Sequence, residues 1–361
     1  MRLLVVLNEN PVGSHDNSRR YLATLKSRGT LDDYAICPFL ARLSSGASSR
    51  EVEEEIIETA ADLAATAVLW CHTSSLEVTA ATFSRLRRLP GRPVFGYWEG
   101  DMYQWPYKPF PPPARRIACA CDVVFLAGSS SLLHNLRRRG CGDIRYAPSP
   151  ADLALFGDAI LLRQTEPEFD LVLIGNNPKS HIPFKTMPGA RWRGQIVAML
   201  ERKLGQRFAV FGYGWRGPCA QGPVPMERQG EVYARSRAGI GNNNLHAAYY
   251  FSNRLPIALS CGAVTLHNWE AGLDQVLGHD APIRFFRSTG EAWEAVRRVL
   301  EADDADLQKE RLRARELALA RFTFTHVQDY MVAVLRDLWQ ARQAGAAPRA
   351  ILNPWLGREQ L

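Results

Sequence analysis

A stretch rich in carboxylates and aromatic rings follows an apolar run at residues 93–97 of this chain. It contains Glu99 and Asp101 together with four aromatic residues, of which Trp98 and Tyr103 are the first two. A carboxylate beside an aromatic wall can take a proton from a bound hydroxyl group. We therefore predict a substrate wall here, with Asp101 as the preferred general base and Glu99 as the alternative. A structural role, in which these carboxylates cap a helix or pair with arginines, is equally open.

The first apolar run, at residues 3–7, also leads into a polar loop. This loop contains Gly13, His15 and Asp16 and does not match the GxGxxG fingerprint of dinucleotide-binding proteins. One interpretation is a loop that ends in a helix cap at residue 17 or 18. The other is a loop whose His15 or Asp16 contacts substrate, with Asp16 as a further candidate base.

A basic stretch without acidic residues spans 176–200 and includes Lys179, Lys185, Arg191 and Arg193. It follows an apolar run and leads into a predicted helix. Cations placed between the carboxyl end of a strand and a helix are suited to holding a diphosphate. A solvated basic loop and a contact with DNA phosphates remain alternatives.

An amide-rich segment follows a further apolar run and contains Asn242, Asn243 and Asn244. Side-chain amides both donate and accept hydrogen bonds, which suits sugar hydroxyls and a ribose. The chain then continues as a predicted helix, a glycine turn and a strand over residues 250–266. Gly272 follows, and we expect it to open a helix whose free amides face an anion.

Short apolar runs alternate with longer amphipathic stretches, a pattern typical of parallel sheets covered by helices. The predicted strands are 3–7, 66–71, 93–97, 123–127, 144–147, 169–175, 208–212, 238–241 and 263–267. The predicted helices are 50–65, 130–139, 195–204, 230–236, 255–260, 291–300 and 306–346, with another that starts at 272. The fold class is therefore α/β, with two Rossmann-like halves that meet near residues 150–168. In such sheets, ligands bind beyond the carboxyl ends of the strands.

The overall composition narrows the class of protein. The 361 residues carry a formal charge of +7, which favours an anionic ligand or partner. Seven scattered cysteines indicate reduced, buried thiols, and Cys119 and Cys121 lack the spacing of a zinc site. No run is long enough for a secretion signal or a membrane span. We expect a soluble, cytoplasmic protein without a metal or other cofactor.

Several motifs taken together resemble the GT-B glycosyltransferases. Residues 252–272 are similar to the carboxyl-half signature of the group-1-like type, specifically of its spore-maturation-protein (CgeB-like) branch. The supporting motifs, in an order that matches this branch, are 121–125, 146–152, 169–175, Arg193, 211–215 and 233–244. The similarity covers roughly residues 90 to 330, and each motif alone is degenerate.

The resemblance implies two Rossmann-like domains that face each other across a cleft. Residues 1–160 would bind the acceptor, residues 161–325 would bind a nucleotide-diphosphate sugar, and residues 326–361 would form a helix that crosses back, with a tail. The implied reaction is metal-independent sugar transfer to a hydroxyl of a glycan, small molecule or protein. UDP is the default carrier, by analogy with this fold.

The resemblance also implies roles for individual residues. Arg254 and Arg193 would face the diphosphate, the amides of Gly272 and Leu273 would receive it, and Tyr213 or Trp215 would lie near the nucleobase. The donor-binding candidates are Arg193, Tyr213, Trp215, Asn242, Asn244, Ser252, Asn253, Arg254, Asn268, Glu270, Gly272 and Leu273. The acceptor-binding candidates are Gly13, His15, Trp98 and Tyr103.

The chain departs from the related retaining enzymes at one motif. Those enzymes carry two glutamates with seven residues between them, whereas this chain has Tyr249 and Ile257 at the equivalent positions. The ribose contact and the stereochemical outcome of the reaction are therefore open. Asn253 or Asn268 is expected to substitute in holding the ribose.

Two other functions fit the same residues. The positive charge and the basic stretch also suit an enzyme that glycosylates a hydroxymethylated base in DNA, which would bind duplexes in a salt-sensitive way. The missing glutamates also suit a degenerate module that binds a sugar nucleotide without turnover. The nucleobase, the sugar, the acceptor and the oligomeric state are not specified by the sequence.

Overall fold

The computed structural model describes residues 1–156, 158–162, 166–178 and 185–361. These residues form two compact units. The first unit contains residues 1–105, 109–148 and 324–361, and the second contains 106–108 and 149–323.

The first unit is built on a six-stranded sheet in which every pairing is parallel. Its strands are β1 (Arg2–Leu7), β2 (Asp33–Cys37), β3 (Ala67–Cys71), β4 (Val94–Glu99), β5 (Val123–Leu126) and β6 (Ile144–Tyr146). All five residues of β3 and all four of β5 are buried. Continuous burial is expected because helices cover both faces of a parallel sheet, and it explains the unbroken apolar runs.

The helices of the first unit begin and end at recognisable signals. They are α1 (Asp16–Ser27), α2 (Phe39–Ser44), α3 (Ser49–Asp62), α4 (Ala80–Arg87), α5 (Pro112–Ala120) and α6 (Ser131–Arg138). The side chains of Ser48 and Glu51 form a reciprocal capping box at the start of α3, and Pro112 occupies the first turn of α5. Such caps satisfy backbone amides that the helix leaves unbonded.

The strand order of the first sheet is β2-β1-β3-β4-β5-β6. The chain adds strands on one side of β1 and then on the other, so the order reverses between β1 and β3. Crevices for ligands form at such a reversal, beyond the carboxyl ends of the strands. The loops that start at residues 8, 72 and 100 meet at this edge, which we call the first-unit rim.

The second unit contains another six-stranded parallel sheet, with the order β12-β11-β10-β7-β8-β9. Its strands are β7 (Phe169–Ile174), β8 (Phe208–Phe211), β9 (Ala220–Gly222), β10 (Ser236–Gly241), β11 (Thr265–Asn268) and β12 (Ile283–Phe286). Counted from β7, the order is that of a Rossmann sheet, and it reverses between β7 and β10. The loops after these two strands and after β8 and β11 form the second-unit rim.

Two apolar layers hold the helices of the second unit on its sheet. The helices are α7 (Leu153–Phe156), α8 (Pro188–Leu204), α9 (Gln229–Ala234), α10 (Arg254–Ser260), α11 (Leu273–Leu277), α12 (Thr289–Glu301) and α13 (Asp304–Arg321). Leu171 and Leu173 of β7 pack in one core cluster, and Val172 and Ile174 pack in the other. This alternation follows from the pleat of a strand, which points successive side chains to opposite faces.

The final long helix, α14 (Phe324–Ala344), belongs to the first unit. The prediction of one helix over 306–346 is wrong, because the helix is interrupted at residues 322–323. Phe322 is fully buried with a non-helical backbone, and its carbonyl accepts the amide of Ala151 at 2.8 Å. A tertiary contact thus ends a helix that has no breaker in its sequence.

Several other elements differ from the sequence-based prediction. Strands β2, β9 and β12 were not predicted, because only Cys37 of β2, no residue of β9 and only the two end residues of β12 are buried, so their apolar signal is weak. Helices α2, α4 and α5 were not predicted either. Helix α8 starts at Pro188 rather than at 195, since proline is well suited to a first helical turn. The other predicted strands and helices are present, with ends that move by a few residues.

Three global properties of the described residues complete the fold. None of their helices is both long and apolar enough to cross a bilayer. All seven cysteines are free thiols, and Cys119 and Cys121 are the two that are half-buried. No group of three or more histidines, cysteines and carboxylates in this part of the chain is arranged to hold a metal ion.

Candidate active site

Two predicted arginines converge at the end of β7 in the second-unit rim. A Cβ atom built on Gly175 would lie 3.5 Å from Arg193 Nη1 and 3.7 Å from Arg254 Cδ. Arg193 comes from the first half of α8, and Arg254 is the first residue of α10. The reversal of strand order therefore concentrates positive charge at the position where a Rossmann sheet binds an anion.

Arg193 is buried and bonded entirely to protein. Its Nε donates to Asn242 Oδ1 at 2.8 Å, and its Nη1 and Nη2 donate to the carbonyls of Asn176 and Asn242 at 2.7 and 2.6 Å. The side chain is 1% exposed, and burial together with the charge of Arg254 lowers its pKa. Arg193 was predicted to face a diphosphate. Its geometry instead gives it the role of holding the loops after β7 and β10 in place.

Arg254 is the half-buried member of the pair. Its Nη2 donates to the Asn242 carbonyl at 3.3 Å, a long hydrogen bond. Arg254 lines a small crevice together with Ile174, Gly241 and His267. Arg254 is therefore more accessible than the fully buried Arg193.

His267 forms part of the same crevice as a neutral base. Burial, together with the charges of Arg254 and Arg193, lowers the pKa of His267 to about 4. Its Nδ1 lies 2.8 Å from the Asn268 carbonyl and must donate to it, so Nε2 is the acceptor nitrogen of the neutral ring. Because His267 is neutral at neutral pH, the positive charge of the crevice comes from the arginines.

The amide residues near β10 mainly support the backbone. Asn242 Nδ2 donates to the Gly189 carbonyl at 2.7 Å, and the Asn243 amide donates to Asn268 Oδ1 at 2.9 Å. Asn242, Asn243 and Asn268 are all buried. These side chains therefore hold the loops and do not project toward a sugar. Asn244 is half-buried, and its Oδ1 has no hydrogen-bond partner among the described residues.

Helix α8 approaches these loops closely enough to require glycine. A Cβ atom on Gly189 would lie only 2.0 Å from the Asn243 carbonyl oxygen. The amide of Gly189 in turn donates to the Asn244 carbonyl at 3.0 Å. This contact sets the distance between α8 and the loop after β10, and hence the position of Arg193.

A second charged group at this rim consists of Glu270 and His246. Glu270 is buried, and its Oε1 lies 2.8 Å from His246 Nδ1 and accepts Asn268 Nδ2 at 2.6 Å. The hydrogen bond to this carboxylate raises the pKa of His246, whose side chain is 44% exposed. Glu270 was among the predicted donor contacts, whereas His246 was not. The position of His246, two residues after the last of the three asparagines, was the signal that could have identified it.

Gly272 opens a helix, as predicted, but that helix is short and one of the two amides predicted to receive the diphosphate is bonded within the protein. Helix α11 has only five residues, and the Leu273 amide donates to the Glu270 carbonyl at 3.2 Å. Gly272 has φ +79°, and a Cβ atom there would lie 2.2 Å from the ring of Tyr249. Gly272 is therefore required by its backbone conformation and by Tyr249, one of the two residues that replace the glutamates of related enzymes.

The turn after β8 presents one aromatic ring to solvent. Tyr213 is 68% exposed, and its amide donates to Asn176 Oδ1 at 3.0 Å. Trp215 packs against the core, and its Nε1 donates to the Gly175 carbonyl at 2.7 Å. Of the two predicted nucleobase contacts, Tyr213 has a ring available for stacking, while Trp215 fixes the turn to the loop after β7.

The start of α10 contains the remaining donor candidates. Asn253 is exposed and precedes the helix without a side-chain capping bond. The Ser252 amide donates to Asn243 Oδ1 at 3.2 Å, and the Ser252 Oγ is buried without a partner in the described part of the chain. Ile257 is buried in the core, where no carboxylate could reach a ribose. Asn253 is therefore the more accessible of the two predicted ribose contacts, since Asn268 is buried.

The basic stretch is described only in part. Residues 179–184 lie outside the described residues, and Lys179 is among them. Lys185 and Arg191 are both exposed. The two cations are thus on the surface near the start of α8, while Arg193 points inward.

The first-unit rim contains a buried carboxylate that holds a histidine. Glu99 is 0% exposed, and its Oε1 lies 2.6 Å from His72 Nδ1. The Tyr97 hydroxyl donates to Glu99 Oε2 at 2.9 Å, and the Asp101 amide donates to Oε1 at 3.1 Å. Burial raises the pKa of Tyr97 well above its usual value, so Tyr97 acts as a neutral donor. A carboxylate that accepts only from fixed donors keeps a single orientation.

A second buried carboxylate organises the loop after β1. Glu9 is 0% exposed, and its Oε1 accepts the amides of Gly13 and His15 at 2.7 and 3.1 Å. Arg19 forms an ion pair with its other oxygen. Burial acts to raise the pKa of Glu9, but these partners outweigh it and lower the pKa. The loop that presents His15 is therefore anchored by an ionised carboxylate.

His15 and Gly13 are placed by this loop. His15 is half-buried at the N-cap of α1, where residue 17 or 18 was expected, and burial lowers its pKa. Gly13 is exposed with φ +93°. Asp16 is exposed and pairs with Arg20 on the same helix. His15 and His72 are close enough to influence each other electrostatically.

The predicted aromatic wall is only partly present at this rim. Trp98 is half-buried, and its ring meets His72 edge-on at 5.3 Å between centroids. Tyr103 is 7% exposed and packs against Phe110 at 4.9 Å, so it belongs to the core and not to an exposed wall. Asp101 is exposed, whereas Glu99 is not.

Sequence reasoning did not select His72 or Glu9. Both follow buried strands directly, and a systematic inspection of the residues after every strand would have listed them. The pairing of His72 with Glu99 joins positions 27 residues apart, which no local motif encodes.

Comparisons with known proteins agree with this architecture. Residues 191–333 match a family model described as glycosyl transferase-like. A search of curated proteins gave no match. Sucrose-phosphate synthase from Thermosynechococcus elongatus is a similar solved structure, with 15% identity and a TM-score of 0.56 over 94% of this chain and 100% of that chain.

Two other solved structures are similar over comparable lengths. An α,α-trehalose-phosphate synthase (UDP-forming) from Burkholderia vietnamiensis has 13% identity and a TM-score of 0.62, over 96% of this chain and 100% of that chain. Anabaena HepE in complex with UDP has 13% identity and a TM-score of 0.59, over 93% of this chain and 100% of that chain. At these identities the likeness concerns the fold.

The two parallel sheets and these matches define the fold as GT-B, as predicted. The family match over residues 191–333 is to glycosyl transferase-like proteins, and it runs from within α8 to within α14, a range that includes both rim arginines. The predicted assignment to the spore-maturation-protein-like branch is not decided by these comparisons.

Proposed function

We propose that the protein transfers a sugar from a nucleotide-diphosphate sugar, bound at the second-unit rim, to a hydroxyl group of an acceptor bound at the first-unit rim. The observation that carries this proposal is the position of Arg254. It is a half-buried cation at the reversal of strand order, and it lines a crevice together with neutral His267. Arg193 holds the neighbouring loop through Asn242. A leaving diphosphate gains negative charge, and a preorganised cation stabilises that charge.

UDP is the proposed carrier of the sugar. The support is that two of the similar structures are named with UDP, one as a UDP-forming synthase and one as a complex with UDP. In this chain, we propose that Tyr213 stacks on the nucleobase, since its ring is exposed beside the loop after β7. Asn253 is proposed to contact the ribose in place of the missing glutamates.

The acceptor is proposed to bind at the first-unit rim, where neutral His15 and the His72–Glu99 pair are located. These groups handle protons and carry little positive charge. They suit a hydroxyl acceptor, such as a glycan, a small molecule or a protein side chain. We also propose that the chain is related to the spore-maturation-protein-like branch, because residues 252–272 resemble its signature.

The test of this proposal is a binding and turnover panel. UDP, GDP, ADP and their glucose or mannose conjugates are compared by thermal shift, since a ligand at about a hundred times its dissociation constant adds about 2.7 kcal/mol of stability. Stabilisation by one diphosphate and by its sugar conjugate is expected. The absence of stabilisation by every nucleotide would contradict donor binding.

The same panel separates the alternative functions. Release of free nucleoside diphosphate from the stabilising conjugate is expected for an enzyme, whereas stabilisation without any release would favour a binding module. Release that requires duplex DNA containing hydroxymethylated bases would favour a DNA-modifying enzyme. No described contact favours that alternative, and many surface arginines are paired with carboxylates, for example Arg297 with Glu294 and Glu301.

A further inference from the structure

The pairing of His72 with Glu99 has the geometry of a catalytic base and its orienting carboxylate. Glu99 Oε1 lies 2.6 Å from His72 Nδ1, and the carboxylate is fully buried. An ionised carboxylate can only accept a hydrogen bond, so Nδ1 carries the hydrogen and Nε2 is left as the basic nitrogen. The same division of labour activates the histidine in hydrolase triads.

The carboxylate itself is held on every side. Tyr97 donates to Oε2 at 2.9 Å, and the Asp101 amide donates to Oε1 at 3.1 Å. Because Glu99 is enclosed, it cannot touch a substrate and can act only through His72. Asp101 contributes its backbone to this arrangement, while its side chain is exposed.

His72 is placed at the reversal of strand order, directly after β3. Its side chain is 26% exposed, in contrast to that of Glu99. Its φ is +52°, a left-handed conformation that residues other than glycine rarely adopt. Such strain persists only where the surroundings enforce it, and it concentrates at functional sites. Here the amide of His72 donates to the Trp98 carbonyl at 3.2 Å, which fixes the turn.

We infer that His72 is the general base that deprotonates the acceptor, that Glu99 is its positioning residue, and that the transfer proceeds by direct displacement with inversion. This inference rests on the proposed function. The acceptor oxygen forms a bond to the anomeric carbon while the bond from that carbon to the phosphate oxygen breaks. The electron pair leaves with the nucleoside diphosphate, and the acceptor proton goes to His72 Nε2. A retaining reaction on one face of the sugar would have no need for such a base.

The first test compares turnover by His72→Gln with that of the native protein. UDP release from UDP-glucose is measured, or GDP release from GDP-mannose if the guanine nucleotide binds better, with water and methanol as the hydroxyl acceptors. Loss of a general base lowers turnover by about a hundredfold or more. Binding of UDP or GDP is expected to be unchanged, because the substitution lies in the first unit.

A pH profile distinguishes a base from a structural residue. Turnover of the native protein is expected to fall at acidic pH as His72 takes up a proton, and this fall is expected to disappear in His72→Gln. Among the described residues, Glu99 on β4 contacts His72 and His15 at the start of α1 interacts with it electrostatically, while Glu9 and Arg19 act in turn on His15. His15→Gln is therefore examined in parallel, and it is expected to keep the acidic fall.

The matched control for the histidine is His134→Gln, an exposed residue on α6. For the carboxylate, Glu99→Gln is compared with Glu58→Gln on α3, which is exposed. Glu99→Gln is expected to lower turnover at least about tenfold by disturbing the Nδ1–H tautomer, whereas both surface controls are expected to keep the native turnover. If Glu99→Gln fails to fold, Tyr97→Phe probes the same carboxylate more mildly.

The configuration of the product provides the decisive outcome. Methyl β-glucoside formed from UDP-glucose identifies inversion by NMR. Methyl β-mannoside formed from GDP-mannose does the same. Retention, or native turnover by His72→Gln, would overturn the inference while leaving the proposed function intact. A large loss in Asp101→Asn with little loss in His72→Gln would assign the base to Asp101. If the native protein released no nucleotide from any conjugate, the proposed function and this inference would fail together.

Discussion

The rims of the two sheets use buried polar groups in opposite ways. In the first unit, the buried groups are the carboxylates of Glu9 and Glu99, and they hold His15 by its backbone and His72 by its ring. In the second unit, the buried groups are the guanidinium of Arg193 and the amides around it, and they hold carbonyl groups of the loops. The first rim therefore presents histidines held by carboxylates, and the second concentrates arginines.

This difference follows from what each rim has buried. An enclosed carboxylate requires donors, and a histidine that donates to it gains a basic nitrogen on its other side. An enclosed guanidinium requires acceptors, and Arg193 takes them from carbonyls after the strands, while neighbouring Arg254 stays half-buried. Two parallel sheets thus present different groups at their rims when their enclosed residues carry opposite charge.

The largest expected effect that tests this comparison is the loss of Arg193. Arg193→Ala removes three hydrogen bonds. Asn242 Oδ1 and the Asn176 carbonyl lose this donor, and the Asn242 carbonyl keeps only the long bond from Arg254. Breaking a buried network of this kind costs about 3–5 kcal/mol of unfolding free energy. Urea unfolding measures it, with exposed Arg191→Ala on the same helix as the control. Equal losses in the two variants would contradict the supporting role of Arg193.

The protonation of His267 should make the second unit sensitive to acid. Its folded pKa of about 4 lies below the ordinary value of 6.5, so the unfolded chain takes up a proton first as the pH falls. Stability is therefore complete above pH 6.5 and declines toward pH 4, by about 3 kcal/mol in total. Urea midpoints across this range measure the slope, and His267→Gln should flatten it. An unchanged slope in the variant would show that other groups cause the decline.

Loss of the outward-facing cation should affect nucleotide affinity more than stability. Arg254→Ala removes a charge-assisted contact with the diphosphate, which is worth about 1.5–3 kcal/mol, or roughly a tenfold to hundredfold weaker dissociation constant. Calorimetric titration with UDP measures it. Arg297→Ala, an exposed arginine of the same unit, is the control. Unchanged affinity in Arg254→Ala would remove the basis for assigning the diphosphate to this rim.

The smallest expected effect concerns the exposed ring at the second-unit rim. Tyr213→Ala removes a stacking surface that is worth about 0.5–1.5 kcal/mol, so nucleotide affinity should fall by roughly twofold to tenfold. Stability should not change, because the ring is 68% exposed. Leu312→Ala, on the outside of α13 with 47% exposure, is the matched control. A loss of stability in Tyr213→Ala would mean that the ring supports the turn and does not serve a ligand.

Local patterns were sufficient to predict most of the fold. Continuous apolar runs identified the buried strands, and longer amphipathic stretches indicated many of the helices between them. The failures were of two kinds. Strand β2 has too little buried surface for a clear pattern, and the break at Phe322 depends on a hydrogen bond to Ala151.

The candidate site was predicted less completely than the fold. Sequence placed Arg193 and Arg254 near the same ligand, and the structure brings both to Gly175, but only the packing of α8 showed which of them is enclosed. Tyr103 appeared to belong to a substrate wall, yet its contact with Phe110 makes it part of the core. Exposure depends on neighbours that are distant in the sequence.

The sequence by itself determined the alternation of strands and helices, the loops in which chemistry should occur and the net positive charge. These properties depend on residue type and on periods of a few residues, which a single chain displays directly. Only the tertiary structure decided that His72 meets Glu99, that Arg193 is enclosed and that Arg254 faces outward. Each of these depends on how strands distant in the sequence align at the carboxyl edge of a sheet. The order of strands in the sheet, and not the order of residues in the chain, determines which groups become neighbours.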